Sequence, residues 1–198
     1  HYRSIQAHSA RSLGVLRDIR IIPRLLKRLR SEPDEGLRIA YASALGNLRA
    51  SSATPAILSM LAASNEEATR MELALALARI VSQEHRFIQL WRSLRNAGGT
   101  AIAQAVTALA KKLRLTPTSR QAVHPALTAC AEALARNDFP GGVETLVEAL
   151  RALPLADRAD PAAAILDECS RQLAVYGDAR RDYLLLALVA LDVIATER

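Results

Sequence analysis

The stretch "AYASALGNL", Ala40–Leu48, decides the fold because it recurs. Thirty-two residues earlier the chain reads "HSARSLGVL" (His8–Leu16). Thirty-two later it reads "ELALALARI" (Glu72–Ile80), and 32 later again "QAVTALAKK" (Gln104–Lys112). The strictest slot holds Leu13, Leu45, Leu77 and Leu109. The slot after it holds Gly14, Gly46, Ala78 and Ala110; the slot before it holds Ser12, Ala44, Ala76 and Ala108. Ala10, Ala42, Ala74 and Val106 fill a further small-to-medium slot. An Ala with a Leu three residues on shares one helix face. Small residues beside that Leu let a neighbouring helix come close. A fixed period of this kind marks stacked helical units.

A second motif lies between these segments. "IIPRLLKRL" (Ile21–Leu29) matches "ATPAILSML" (Ala53–Leu61) at the same spacing, with Pro23 on Pro55, Leu25 on Ile57, Leu26 on Leu58 and Leu29 on Leu61. Proline suits the first turn of a helix, where its missing N–H has no partner to lose. Each Pro therefore opens a helix A, and each Leu-Gly or Leu-Ala segment is a helix B. "SEPDEG" (Ser31–Gly36) and "ASNEE" (Ala63–Glu67) are the turns between them. Their acids meet the start of helix B, where the helix dipole favours negative charge, so Glu66 and Glu67 read as capping groups.

Composition agrees. Of the 198 residues 51% are apolar but only 4% aromatic, and Ala and Leu dominate, which predicts an all-α chain. No uncharged apolar run reaches the ~18 residues of a membrane span. The best candidate, "YLLLALVALDVIA" from Tyr183, is short and holds Asp192. The first residues are not a secretory signal. Cys130 and Cys169 cannot build a disulfide framework, and each sits in an Ala/Leu-rich pattern that predicts a buried, reduced thiol. A cytoplasmic location fits that pattern.

The repeated segments resemble the HEAT-repeat family, in the short bacterial form also found in phycobilin lyases. The resemblance rests on the helix-A Pro with apolar residues two and three on, the acidic turn, Arg38 and Arg70 early in helix B, and the Ala-Leu-Gly-x-Leu end at Ala44–Leu48. It covers roughly residues 4–113. The third unit departs from it: "HRFIQLWRSL" (His85–Leu94) lacks the Pro and needs a one-residue shift. The resemblance implies an α-solenoid, a right-handed superhelix of helical pairs, over residues 1–114. Beyond "LTPTSRQ" (Leu115–Gln121) the period fades, and four helices are expected at about 118–136, 141–152, 160–176 and 179–196. Residues 115–198 are read as a helical cap covering the last repeat, with diverged repeats as the competing reading. Leu13, Gly14 and Leu16 belong to a helix B with no helix A ahead of it. The chain is accordingly read as part of a longer protein, with an apolar face exposed at its start.

Candidate chemistry is sparse. His1, His8, His85 and His124 are scattered, with no metal-ligand spacing. His8 shares a slot with Ala40, Glu72 and Gln104, which predicts a surface position. "AGGT" (Ala97–Thr100) and "PGG" (Pro140–Gly142) read as turns before helices, not phosphate loops. Asp167 and Cys169 do not face each other at helical spacing. Trp91, flanked by Leu90 and Leu94, reads as packing. No catalytic, cofactor-binding or metal residue is assigned. Bilin-lyase-like activity is implied only by the resemblance.

Basic residues are the remaining feature. Arg20, Arg24, Lys27 and Arg28 share one helix face, with Arg17 and Arg30 nearby; Lys111, Lys112, Arg114 and Arg120 form a second group. The stripe suits an acidic protein, nucleic acid or an anionic membrane surface, or is simply a solvated outer face with cations at helix C-termini. No aromatic residues are interleaved for base stacking. In the family, B helices usually line the concave side, so Arg38 and Arg70 join Arg20, Arg24, Lys27 and Arg28 as candidate partner-binding residues. Their commoner family role is to bond within the stack. The expected function is a non-catalytic scaffold or regulatory module for a protein partner. The alternatives are the cytosolic regulatory domain of a larger bacterial membrane protein, tethered through upstream sequence, and a nucleic-acid binder.

Overall fold

Eleven α-helices carry the described residues, 2–155 and 160–196, of the computed structural model, and no strand occurs among them. The chain is all-α. It packs as two compact units, residues 1–84 and 85–198.

The first unit holds α1 (Tyr2–Val15), α2 (Ile22–Ser31), α3 (Glu35–Asn47), α4 (Thr54–Ala63) and α5 (Glu67–Ile80). The B helices α1, α3 and α5 stack side by side, while α2 packs on α3 and α4 on α5. Pro23 and Pro55 lie in the first turns of α2 and α4. Short 3-10 turns at Ile19–Ile21 and Ser51–Ala53 precede them, 32 residues apart. Asp34 caps α3 by accepting from the Leu37 N–H at 3.0 Å. Glu66, expected to cap α5, makes no side-chain cap bond; its carboxylate accepts the Thr69 hydroxyl at 2.9 Å instead. Glutamate is one methylene too long to fold back like the aspartate, which is why short side chains lead at this position.

The repeat slots account for the stack. Ala42, Ala44, Leu45, Ala74, Ala76 and Leu77 are all completely buried. Gly14 and Gly46 serve close approach. A Cβ on Gly46 would lie 2.9 Å from the Ala76 carbonyl oxygen and 3.0 Å from its Cα, and one on Gly14 2.8 Å from the Ala44 Cα. Backbone cannot yield cheaply at such distances. Gly46→Val is therefore expected to cost about 2–3 kcal/mol, the usual penalty of overpacking. Gly36→Ala, whose Cβ would meet only Asp34 Oδ1 at 3.3 Å, should be nearly neutral. Urea midpoints of the two variants check this; equal midpoints would refute the close-approach role.

The outer face of α1 bears the pattern of its successors without their cover. Ile5 and Leu16 are 62% and 72% exposed, whereas their counterparts Leu37 and Leu48 are 5% and 7% exposed. The expected apolar face is present.

The second unit continues with α6 (Glu84–Ala97), α7 (Gly99–Lys112), α8 (Pro117–Ala135), α9 (Phe139–Arg151), α10 (Pro161–Tyr176) and α11 (Arg181–Thr196). Here α8 packs between α7 and α9, α10 between α9 and α11, and α11 returns to α7. Every residue from Asp182 to Leu191 is buried, so the apolar run near the C-terminus is a core helix. Among the described residues no helix is long and apolar enough to cross a membrane. Pro140–Gly142, read as a turn, belongs to the first turn of α9 itself: Pro140 is the second residue of the helix and Asp138 caps it by accepting from the Gly141 N–H at 3.0 Å. The link at 153–161 falls partly outside the described residues. The repeat period ends near Leu113, yet α7, which carries Leu109, packs with the helices that follow it.

Candidate partner-binding surface

The amphipathicity of α2 places its cations. Leu25 and Leu29 are buried against α3, which leaves Arg24, Lys27 and Arg28 exposed on the outward side. Arg20 is exposed in the preceding 3-10 turn and holds Asp18: its Nε donates to Oδ1 at 2.9 Å and its NH2 to Oδ2 at 2.8 Å. The hydrogen bonds from Arg20 keep the Asp18 carboxyl below its ordinary value. Arg38 is half-buried on α3. Arg70 is buried and donates through NH1 to the Asn65 carbonyl at 2.8 Å, tying α5 to the turn before it. Of the six candidate residues, Arg20, Arg24, Lys27 and Arg28 thus gather at one corner, while Arg70 works inside the stack.

A second surface was not flagged by the sequence. Ser43 and Asn47 of α3 and Leu75 and Arg79 of α5 are half-exposed in two slots 32 residues apart. Arg79 bridges the helices, donating through NH1 to Ser43 Oγ at 3.2 Å and through Nε to Glu84 Oε1 at 2.8 Å. These slots change residue type from unit to unit, Ser43 to Leu75 and Asn47 to Arg79, so periodicity gave no signal for them. A row that varies on an invariant frame is where partner specificity can be written.

The residues considered for chemistry are dispersed. His8 and His85 are exposed or half-exposed and His124 is half-buried; His1 lies outside the described residues. Among the described residues no group of three or more His, Cys, Asp or Glu could hold a metal ion. Asp167 is exposed and pairs with Arg171 at 3.3 Å, whereas Cys169 is buried, so the two share no face. Burial pushes the Cys130 thiol up to about 12, and that of Cys169 well above its ordinary value. Neither is a nucleophile at neutral pH, because the thiolate is the reactive form. Trp91 is half-buried, with the Arg95 guanidinium 5.5 Å from its ring centre. In the second basic group Lys112 is paired, 3.1 Å from Asp192.

Residues 22–110 match the family model for HEAT repeats. This segment belongs to the HEAT-repeat family. The match takes in both Pro-led pairs, α2–α3 and α4–α5, and runs on to Ala110. Neither the curated proteins nor the solved structures offer a match to the chain. HEAT repeats are commonly protein-interaction scaffolds and typically non-catalytic. One feature of these HEAT units carries no sequence signature. Helices α1, α3 and α5 each end beside a left-handed residue, Arg17 (φ 55°), Arg49 (φ 52°) and Ser82 (φ 61°). Glycine would relieve each, but none is glycine, so no glycine marks these helix ends. The spacing of 32 and then 33 locates the one-residue shift of the third unit at the end of α5.

Proposed function

We propose that the protein is a non-catalytic scaffold that presents the edge of its HEAT B helices to a protein partner. The observation that carries this is the stack itself. Glycine contacts lock α1, α3 and α5 at backbone distance, so the residues at their half-exposed edge keep fixed mutual positions. A pre-organised surface loses little conformational freedom on binding, which favours affinity. Ser43, Asn47, Leu75 and Arg79 form its central row, and the burial of Arg70 leaves that arginine a structural role.

The proposal predicts a positional result. A photo-crosslinking residue at Asn47 or Leu75 is expected to trap a defined protein from extracts of the source cells. The same residue at Gln121, exposed on α8, should not trap it. Asn47→Trp should abolish the capture while leaving the circular dichroism spectrum unchanged. Identical capture at all three positions, or capture indifferent to the tryptophan, would refute the edge as the binding surface.

A further inference from the structure

Two departures from an ordinary protein surface coincide at one corner of the first unit. The first is charge. Residues 11–31 hold seven cations, Arg11 through Arg30, against one acid, Asp18. Their balance of +6 equals the net charge of the whole chain, so the remaining residues are neutral as a set. Asp18 is already taken by Arg20. Arg24, Lys27 and Arg28 are exposed, and no carboxylate among the described residues pairs with them. The second departure is apolar exposure. Val15 and Ile19 are 71% and 69% exposed within five consecutive residues, where the counterparts one period on are the polar Asn47 and Ser51. They form the end of α1 and the start of the 3-10 turn that leads into α2. Because α2 has ten residues and is therefore only about 15 Å long, every cation on α2 lies within about 15 Å of the helix end that the aliphatic knuckle adjoins.

We propose that this corner docks the protein on an anionic lipid bilayer. Val15 and Ile19 enter the boundary between headgroups and acyl chains, and Arg24, Lys27 and Arg28 meet the lipid phosphates and carboxylates beside them. Cations flanking exposed aliphatic side chains are the two signals that interfacial binding combines. Charge complementarity selects this occupant over the others. A second copy would bring one +6 patch against another. Nucleic acid would satisfy the cations, but the patch offers aliphatic side chains where base stacking needs aromatic ones. The docking corner excludes Ser43, Asn47, Leu75 and Arg79, and although Val15 fills on α1 the slot of Asn47 and Arg79, vesicle binding and crosslinking at Asn47 or Leu75 report on the two surfaces separately.

Sedimentation of the full chain with lipid vesicles tests the proposal. Binding is expected to vesicles of phosphatidylcholine with about one third phosphatidylserine, and not to phosphatidylcholine alone. Arg24→Gln/Lys27→Gln/Arg28→Gln should weaken partitioning on the order of 100-fold, at roughly five-fold per cation. Val15→Ser/Ile19→Ser should weaken it about ten-fold or more, and the residual binding should vanish at high salt, where charge is screened. All five positions are exposed, and circular dichroism establishes that the variants fold. No binding to the mixed vesicles overturns the proposal, as does equal binding to phosphatidylcholine alone. Wild-type binding by the Val15/Ile19 variant overturns it too. Duplex DNA that binds more tightly than the vesicles, with no effect of that variant, would assign the patch to nucleic acid instead.

Discussion

Gly99→Ala is expected to destabilise the second unit by about 3 kcal/mol or more, the upper range for overpacking against backbone. A Cβ at Gly99 would overlap the carbonyl oxygen of Leu134, and would lie 2.9 Å from the Leu134 carbonyl carbon and 3.1 Å from Asn137 Oδ1. Gly99 is the first residue of α7, and Leu134 is in the last turn of α8. The start of one helix thus sits directly on the end of the other. The seat is fixed by a hydrogen bond from the Gly99 N–H to Asn137 Oδ1 at 2.8 Å. Two left-handed residues, Gly98 (φ 59°) and Asn137 (φ 58°), shape the turns that make it possible. Adding one methyl group requires α7 to move away from α8, which loosens Ile102, Val106 and Leu127, each completely buried. Gly98→Ala makes a graded comparison. Its Cβ would lie 2.8 Å from Asn137 Oδ1, the end of a side chain that can shift, and an alanine at φ 59° and ψ −139° sits where glycine is nearly alone, so the cost is roughly 1–3 kcal/mol. Urea unfolding followed by circular dichroism should rank the variants wild type, Gly98→Ala, Gly99→Ala. A Gly99→Ala midpoint equal to that of wild type would mean that the seat is not close-packed in solution.

This seat also marks where the sequence stopped being legible. In the first unit the period of 32 is enforced by physics visible in one dimension: a glycine opposite an alanine at each step of the stack, and a proline wherever a helix A begins. Helix positions, the Leu45 and Leu77 core and the role of Gly14 and Gly46 could therefore be read directly. "AGGT" could not. Its first glycine supplies a positive φ and its second a close approach, but the helix end it approaches, at Leu134, lies far along the chain and outside any period. The same limit applies to the surfaces. The outward cations of α2 were visible as a stripe because Leu25 and Leu29 mark the opposite face. Arg70 looked equivalent to Arg38 by spacing, yet one is buried and bonded to Asn65 while the other is half-buried. Position in the repeat does not encode that difference.

Stability should fall steeply above pH 9, and two buried thiols should be the cause. Cys130 lies on α8 and Cys169 on α10, both fully shielded from water and both free. In the unfolded chain a thiol ionises near its ordinary value of 9.0, whereas in the folded protein burial raises Cys130 to about 12. Cys169 is raised in the same sense by burial first and then by the neighbouring carboxylates Asp182 and Glu168. Below pH 9 each thiol is protonated in both states and pH costs nothing. Between 9 and about 12 the unfolded chain releases protons that the folded chain keeps, so the unfolded state is favoured increasingly as pH rises. At about pH 10.5 the loss from Cys130 is about 2 kcal/mol. The Tyr183 hydroxyl, also raised chiefly by burial, adds a further loss above its ordinary value of 10.0. Denaturant midpoints measured between about pH 7.5 and 10.5 test the sign and the size. The double variant Cys130→Ala/Cys169→Ala starts from a lower stability, because each substitution leaves a small cavity, but its midpoint should vary far less with pH. A thiol reagent at about pH 8 gives an independent readout: neither cysteine should react in the native protein, and both should react in urea. If the double variant keeps the full alkaline loss, the thiols are not its source and the buried polar groups around Tyr183 must carry it.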